Sequence, residues 1–308
     1  MLDALKFIKP ALSSKPGNDF FQIKDGRATA FNGILALSAP ITTDLTINPH
    51  GETFFRAISV CGDEAKLRLG DNLTVSGKKA RITVPLFDIP LFKPVPEGDV
   101  YAAPENVKDM LEAVYMCLGT ETARPWATGA MFSGPSLFAT NNVVLVEYWT
   151  ALEGFPPVNV PRPIVERILK SKDKPVAFQT DGRSLTVHYD GDRWIRTQLY
   201  EDQWPMPMIA KLLSNAGEQK PLPDGFAEAI ETIGKFCKND ASRLKFGDGV
   251  IMTVDEHAAV ELPGIPAGPS FNIKQLRILA ELATTVDFLC DPSPFRGNMI
   301  RGVAVQAA

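Results

Sequence analysis

The sequence predicts an α+β protein built from three tandem copies of one unit, each two helices plus an antiparallel sheet. Two observations carry this. Short amphipathic runs with a central arginine, "GETFFRAISV", "VNVPRPIVERILK" and "FNIKQLRILAEL", place Arg56, Arg167 and Arg277 roughly 110 residues apart. Turn signals flanked by alternating apolar residues, Asp25-Gly26, Gly134-Pro135 and Asp248-Gly249, recur at nearly the same period. At 308 residues the chain has room for two or three cores.

Each unit opens with a helix: "LDALKFIKPAL", "ENVKDMLEAVYMCL" and "GFAEAIETIGKFC". In the second, Val107, Met110, Leu111, Val114 and Leu118 share one face; in the third, Phe226, Ile230, Ile233 and Cys237 do. Strands follow across the turns: "FFQIKDGRATAFNGILALSAPI", "GAMFSGPSLFATNNVVLVEYW" and "RLKFGDGVIMTVDEHAAVELPGI". The arginine helix comes next. In "IVERILK", Ile164, Val165, Ile168 and Leu169 form the apolar face, with Arg167 at its edge toward the polar side. Hairpins close the units in "AKLRLGDNLTVSGKKARITVPLF", "PVAFQTDGRSLTVHYDGDRWIRTQLY" and, with the poorest match, "TTVDFLCDPSPFRGNMIRGVAVQAA". The Pro- and Gly-rich segments "PLFKPVPEGDVYAAPEN" and "WPMPMIAKLLSNAGEQKPLPDG" read as linkers, which sets domains at 1–98, 99–215 and 216–308. Exposed sheet edges in such units can pair with the edge of the next copy.

Apolar residues at 45% and charged residues at 22% suit a globular protein with real cores. The first residues lack the apolar run of a signal peptide, and no stretch approaches a membrane span. Cys61, Cys117, Cys237 and Cys290 lie far apart with no CxxC pair, which argues against a zinc site or disulfide framework and suits a reducing cytoplasm. A net charge of −4 excludes a uniformly basic nucleic-acid binder, though not one whose cations share a surface. "VDEHAAVE" reads as a polar turn rather than a metal site, because Asp255 and His257 can share a face but Glu256 cannot join them. "HYDGDRW" reads as a hairpin, and "KPGNDF" lacks the spacing of a phosphate-binding loop. No catalytic constellation, metal or cofactor is expected.

The middle unit is the most specific. "TARPWATGAMFSGPSLFATNNVVLVEYW", "VNVPRPIVERIL" and "TQLYEDQWPMP" occur there in order. Together with the threefold repeat they resemble the bacterial-type sliding clamp, the DNA polymerase III β subunit family, as a divergent member, bacterial or phage-encoded. They look like that family's Arg-Pro-x-x-x-Gly segment, its Val-Pro-Arg helix start and the end of its middle domain, with Trp204-Pro205 where the family has Phe-Pro. "TNNVV" departs from the family's Asp-Gly-x-Arg turn, and "GVAVQAA" from its Met-rich tail.

The resemblance implies a ring-forming DNA clamp fold: a head-to-tail homodimer around a hole lined by helices. It implies a cytoplasmic processivity factor, bacterial or in a phage host. Its partners would be encircled duplex DNA, the replicative polymerase and an ATP-dependent clamp loader. Such a ring needs sequence-blind cations on its inner wall, and the candidates are Lys6, Lys9, Lys15, Arg56, Lys108, Arg162, Arg167, Lys170, Lys235, Lys238, Lys274 and Arg277. The basic tilt of the helices is small: residues 161–174 carry five basic against two acidic side chains, but the second and third opening helices are net acidic. By position, a partner-peptide pocket would take Thr140, Asn142, Val144, Leu145, Pro205, Ile209, Val303 and Val305. The rival expectations are a phage structural or assembly protein of repeated domains and a hydrolase on the same scaffold.

Overall fold

The computed structural model describes residues 1–307 apart from 14, 16, 91–93, 121, 122, 151, 153 and 202. Pro16, Leu91, Phe92, Lys93, Thr122, Asp202 and Ala308, which belong to stretches quoted above, therefore lie outside the described residues. Seven α-helices are present among the described residues: α1 (Leu2–Ile8), α2 (Gly51–Cys61), α3 (Val107–Tyr115), α4 (Arg162–Lys170), α5 (Met206–Leu213), α6 (Phe226–Gly234) and α7 (Ile273–Leu282). The chain forms two compact units, one of residues 1–107 with 166–199, the other of 108–165 with 200–308.

The first unit holds a seven-stranded antiparallel sheet. Its order is Gln22–Lys24, Arg27–Phe31, Leu35–Pro40, Arg193–Gln198, Ser184–Tyr189, Pro175–Thr180 and Asp99–Ala102. The early strands meet the late ones edge to edge, with Trp194 opposite Ser38 and Ile195 opposite Leu37. Leu5 and Ile8 of α1, Phe54 and Ile58 of α2, and Phe21, Ile23 and Leu37 are wholly buried. At full burial each such side chain contributes about 1.5–3 kcal/mol. The start of α2 is capped by His50, whose ring Nδ1 accepts from the Thr53 amide at 3.3 Å. A separate three-stranded sheet, Lys66–Leu69, Leu73–Ser76 and Arg81–Val84, completes this unit.

In the second unit, edge pairing recurs in an eight-stranded sheet. Its order is Val158–Pro161, Gly129–Ser133, Ser136–Thr140, Val144–Trp149, Ile300–Ala304, Ser293–Gly297, Thr285–Val286 and Lys220–Pro221. The join pairs Leu145 with Val303 and Glu147 with Arg301. Gly302 is required at this join, because a side chain there would lie 2.4 Å from both the Leu145 carbonyl oxygen and the Phe295 ring. A four-stranded sheet, Ala259–Glu261, Val250–Thr253, Arg243–Gly247 and Ser270–Asn272, lies beside α6 and α7. Phe246, Phe271 and Phe288 form a three-ring cluster with centroids 5.2–5.8 Å apart.

The helix faces read from periodicity are present. Val107, Met110, Leu111, Val114 and Leu118 are buried, as are Phe226, Ile230 and Ile233 and, in α4, Ile164, Val165 and Ile168. Leu169 is only half-buried, and Cys237 lies beyond the end of α6. The two proline-rich connectors are more structured than linkers. The first contributes the sheet-edge strand Asp99–Ala102 and the second contributes α5. Prolines at 205 and 207 read as breakers, yet they fall at the cap and first turn of α5, where no amide donor is needed.

Candidate nucleic-acid interface and partner groove

The candidate cations fall into two groups. Lys6, Lys15, Arg56, Lys170, Lys235, Lys238 and Arg277 are exposed. Several are paired with carboxylates on their own helix or a nearby turn: Lys6 with Asp3 at 3.2 Å, Arg56 with Glu52 at 3.0 Å, Lys170 with Glu166 at 3.9 Å, and Arg277 with Asp240, in the turn after α6, at 2.8 Å. Lys9 is half-buried. It shares Glu52 at 3.1 Å and lies 4.1 Å from the Phe55 ring centroid. The hydrogen bond from Lys9, joined by that from Arg56, holds the Glu52 carboxyl below its usual range. Exposed pairs of this kind are worth about 0–1 kcal/mol, so a phosphate can displace the carboxylate at little cost.

The second group is built into the fold. Arg162 donates to the carbonyls of Leu118 (3.2 Å) and Gly119 (3.3 Å) and to the Tyr115 hydroxyl (3.1 Å). Its guanidinium also covers the Tyr115 ring at 4.9 Å. Arg167 donates to the Phe7 carbonyl at 3.2 Å and lies over the Phe7 ring, which Arg193 also covers at 5.1 Å. Burial depresses the basicity of Arg167. The sequence places it toward the polar side of α4; the structure folds it back onto Phe7, because a long guanidinium at the edge of an apolar face can bury its stem and stack on an aromatic ring. Lys108 and Lys274 are half-buried. The three repeated arginines thus share a sequence register but not an environment.

The predicted pocket residues converge more closely. Thr140, Asn142, Val144, Leu145, Ile209, Val303 and Val305 line one groove of about 100 Å³ in the second unit. Pro205 does not line it but caps α5, the helix that forms one wall. The 140–144 turn is braced. Thr140 Oγ1 donates to the Val144 carbonyl (2.9 Å) and accepts from the Asn142 amide (3.1 Å), while Asn141 Oδ1 accepts from the Val143 and Val144 amides. Asn142 takes the left-handed φ of 72° that this turn needs, and its Oδ1 accepts from Arg124 Nη1 at 2.9 Å. The floor is a cluster of Phe138, Leu145, Trp204, Ile209, Leu213 and Val303. The opposite rim is tied down by Gln275, which completes the capping box of α7 with Asn272 and also donates to the Val305 carbonyl.

Sequence reasoning missed Arg124, Trp126, Val143, Met208, Leu212 and Pro292 in the lining. Met208 and Leu212 were hidden by reading α5 as a linker, although Met208, Ile209 and Leu212 fall at helical spacing. His257 and Asp255 do share a face, within hydrogen-bonding distance of each other, and no group of three metal-ligating side chains occurs among the described residues.

No family model and no curated protein sequence matches the chain. Solved structures match over its whole length. A Helicobacter pylori β clamp bound to a DNA ligase peptide is 16% identical at a TM-score of 0.76, with all of this chain and 97% of that one covered. The Caulobacter crescentus polymerase III β subunit is 15% identical at 0.80, with the same coverage. The Pseudomonas aeruginosa DNA polymerase III β subunit is 14% identical at 0.79, again covering 100% and 97%. The chain therefore has the fold of the bacterial β sliding clamps. No helix among the described residues is long and apolar enough to cross a membrane.

Proposed function

We propose that the protein is a DNA sliding clamp, a non-enzymatic processivity factor that encircles duplex DNA and tethers the replicative polymerase. Fold alone does not assign function. The observation that carries the reading is the groove: seven side chains from the 140–145 segment, α5 and the C-terminal strand converge on one concave apolar site, within a chain that has the clamp fold end to end. A shallow apolar groove with polar edges suits an anchored peptide, here from the polymerase and an ATP-dependent loader. The H. pylori clamp, which binds a DNA ligase peptide, offers a parallel.

The exposed cations Lys6, Lys15, Arg56, Lys170, Lys235, Lys238 and Arg277, with Lys9, Lys108 and Lys274, would meet the phosphate backbone, while Arg162 and Arg167 hold the helices that carry them. Because several of these cations are already paired, direct DNA affinity is weak and salt-sensitive, and residence comes from topology.

The three repeated units, 1–98, 99–215 and 216–308, are the modules of this reading, and closure is a head-to-tail homodimer. Charge supports that closure. The outer strands of the three-stranded sheet expose Lys66, Arg68 and Arg81, whereas the edge strand Ala259–Glu261 and its preceding turn expose Glu261, Asp255 and Glu256. The site of action is the cytoplasm of a bacterium or of a phage host.

The test is retention on nicked circular DNA after a high-salt wash, before and after one linearising cut. Survival of the wash followed by loss on cutting supports encirclement; equal loss on both templates refutes it.

A further inference from the structure

On the face of the eight-stranded sheet that carries the groove, the same two strands continue into a second feature. Two residues beyond Leu145 on its strand comes Glu147, then Trp149; two residues before Val303 comes Arg301, then Met299. Alternation puts Glu147, Trp149 and Arg301 on the groove's face, with Trp149 within about 14 Å of the groove floor, and Met299, in the turn before its strand, lines the same cavity as Trp149. Trp149 is 49% exposed and Met299 47% exposed, and with Ile300, Arg296 and Arg301 they line an open cavity of about 460 Å³.

The charges in this strip do not balance. Arg296 stands directly opposite Arg301 on the neighbouring strand, a like-charge pair that costs stability. Glu147 satisfies only Arg301, and it also accepts from Ser136 Oγ at 2.6 Å. No carboxylate among the described residues lies within ion-pairing distance of Arg296, which is exposed. One anion is missing beside an exposed tryptophan and methionine.

We propose that this strip is a second docking site for an acidic peptide segment with an apolar anchor, lying alongside the groove on the same partner chain. Arg296 would take the acidic side chain, and Trp149 with Met299 the apolar one; tryptophan and arginine are the residues that most often dominate such contacts. The adjacency to the groove rests on the peptide-binding reading above, whereas the charge imbalance stands without it.

The experiment uses the full chain and three fluorescein-labelled peptides read by anisotropy at low salt. One ends in Leu-Phe, one is that peptide extended through a glycine spacer by Glu-Glu-Glu-Leu, and one is the acidic block alone. The expected result is that the extension tightens binding about threefold or more, and that Arg296→Ala or Trp149→Ala removes that gain without altering the Leu-Phe peptide. Glu147→Gln frees Arg301 and should tighten the acidic peptides further, a change that nonspecific attraction to a generally basic surface would not single out. Val305→Asp in the groove should weaken both peptides that carry Leu-Phe and leave the acidic block unchanged.

If the Leu-Phe peptide fails to bind while the acidic block binds in an Arg296-dependent way, the groove reading falls and this inference stands. No gain on extension, a gain that survives Arg296→Ala, or no binding of either acidic peptide overturns it. So does binding of labelled oligothymidylate with the same Arg296 and Trp149 dependence, which would assign the strip to single-stranded nucleic acid.

Discussion

Trp126 and Trp204 meet edge to face in the second unit, with ring centroids 5.1 Å apart and planes inclined at 66°. Trp204 is buried in the groove floor, whereas Trp126 packs against that floor and lines the groove. The contact therefore joins a stabilising residue to a ligand-facing one. Trp204→Ala should cost about 3–5 kcal/mol. Trp204→Phe drops an indole N–H that is buried without an acceptor and should cost only about 1–2 kcal/mol. Urea unfolding followed by circular dichroism separates the two.

Gly302→Ala tests the join of the eight-stranded sheet. Its methyl group would meet a backbone carbonyl and a buried ring that cannot both retreat, so destabilisation of about 1–3 kcal/mol is expected. Ala304, equally buried two residues on, provides the control: Ala304→Gly leaves no such clash. Thermal melts of the two variants should differ in this order only if the close backbone approach at Gly302 is the cause.

Self-association should respond to charge at the two sheet edges. Arg81→Glu should weaken it, Glu261→Lys should weaken it, and the double variant should recover part of the loss. Added salt should reduce every difference, because the groups are exposed. Sedimentation velocity across protein concentrations reads the result; independent effects in the double variant would break the pairing of these edges.

Alkaline pH should destabilise the fold. Burial pushes the Cys117 thiol up from 9.0 to about 12 and raises the Tyr189 hydroxyl above its ordinary 10.0. Between those limits the unfolded chain loses protons that the folded chain keeps. Stability is thus complete below pH 9 and falls as pH rises toward 12. Urea midpoints taken below and above that onset should show the decline, and Cys117→Ala should make it shallower while the share from Tyr189 remains.

Arginines in the two groups should behave oppositely. Arg56→Ala with Arg277→Ala should leave stability nearly unchanged and lower DNA affinity, flattening its salt dependence by about one unit for each phosphate no longer neutralised. Arg162→Ala should unfold more readily, since it strands two carbonyls and a tyrosine hydroxyl. Filter binding and denaturation together check the contrast.

Much of this was legible because the repeat keeps helix period and turn chemistry in phase. Val107 to Leu118 and Ile164 to Ile168 announced their buried faces, and Asp25-Gly26 and Asp248-Gly249 their turns. The pocket candidates on strands came from the family resemblance position by position and not from periodicity, and strand pairing sets Leu145 opposite Val303. What escaped depends on tertiary context. A proline pair looks identical at a helix start and in a linker until the helix has a surface to lie on, so α5 and its groove residues Met208 and Leu212 went unread. Arg56, Arg167 and Arg277 look alike in sequence, but only Arg167 has Phe7 beneath it.

The seven-stranded sheet also sets a schedule for synthesis. The strand Leu35–Pro40, buried along most of its length, finds its outer neighbour only in Arg193–Gln198. A ribosome adding 5–20 residues per second needs about 10–30 s to deliver that neighbour. Throughout that interval the nascent chain carries an apolar, unpaired strand edge. An N-terminal third made without that neighbour keeps the edge open, so a stalled or truncated product should be insoluble, and a chaperone that shields strand edges should raise the yield of the complete chain.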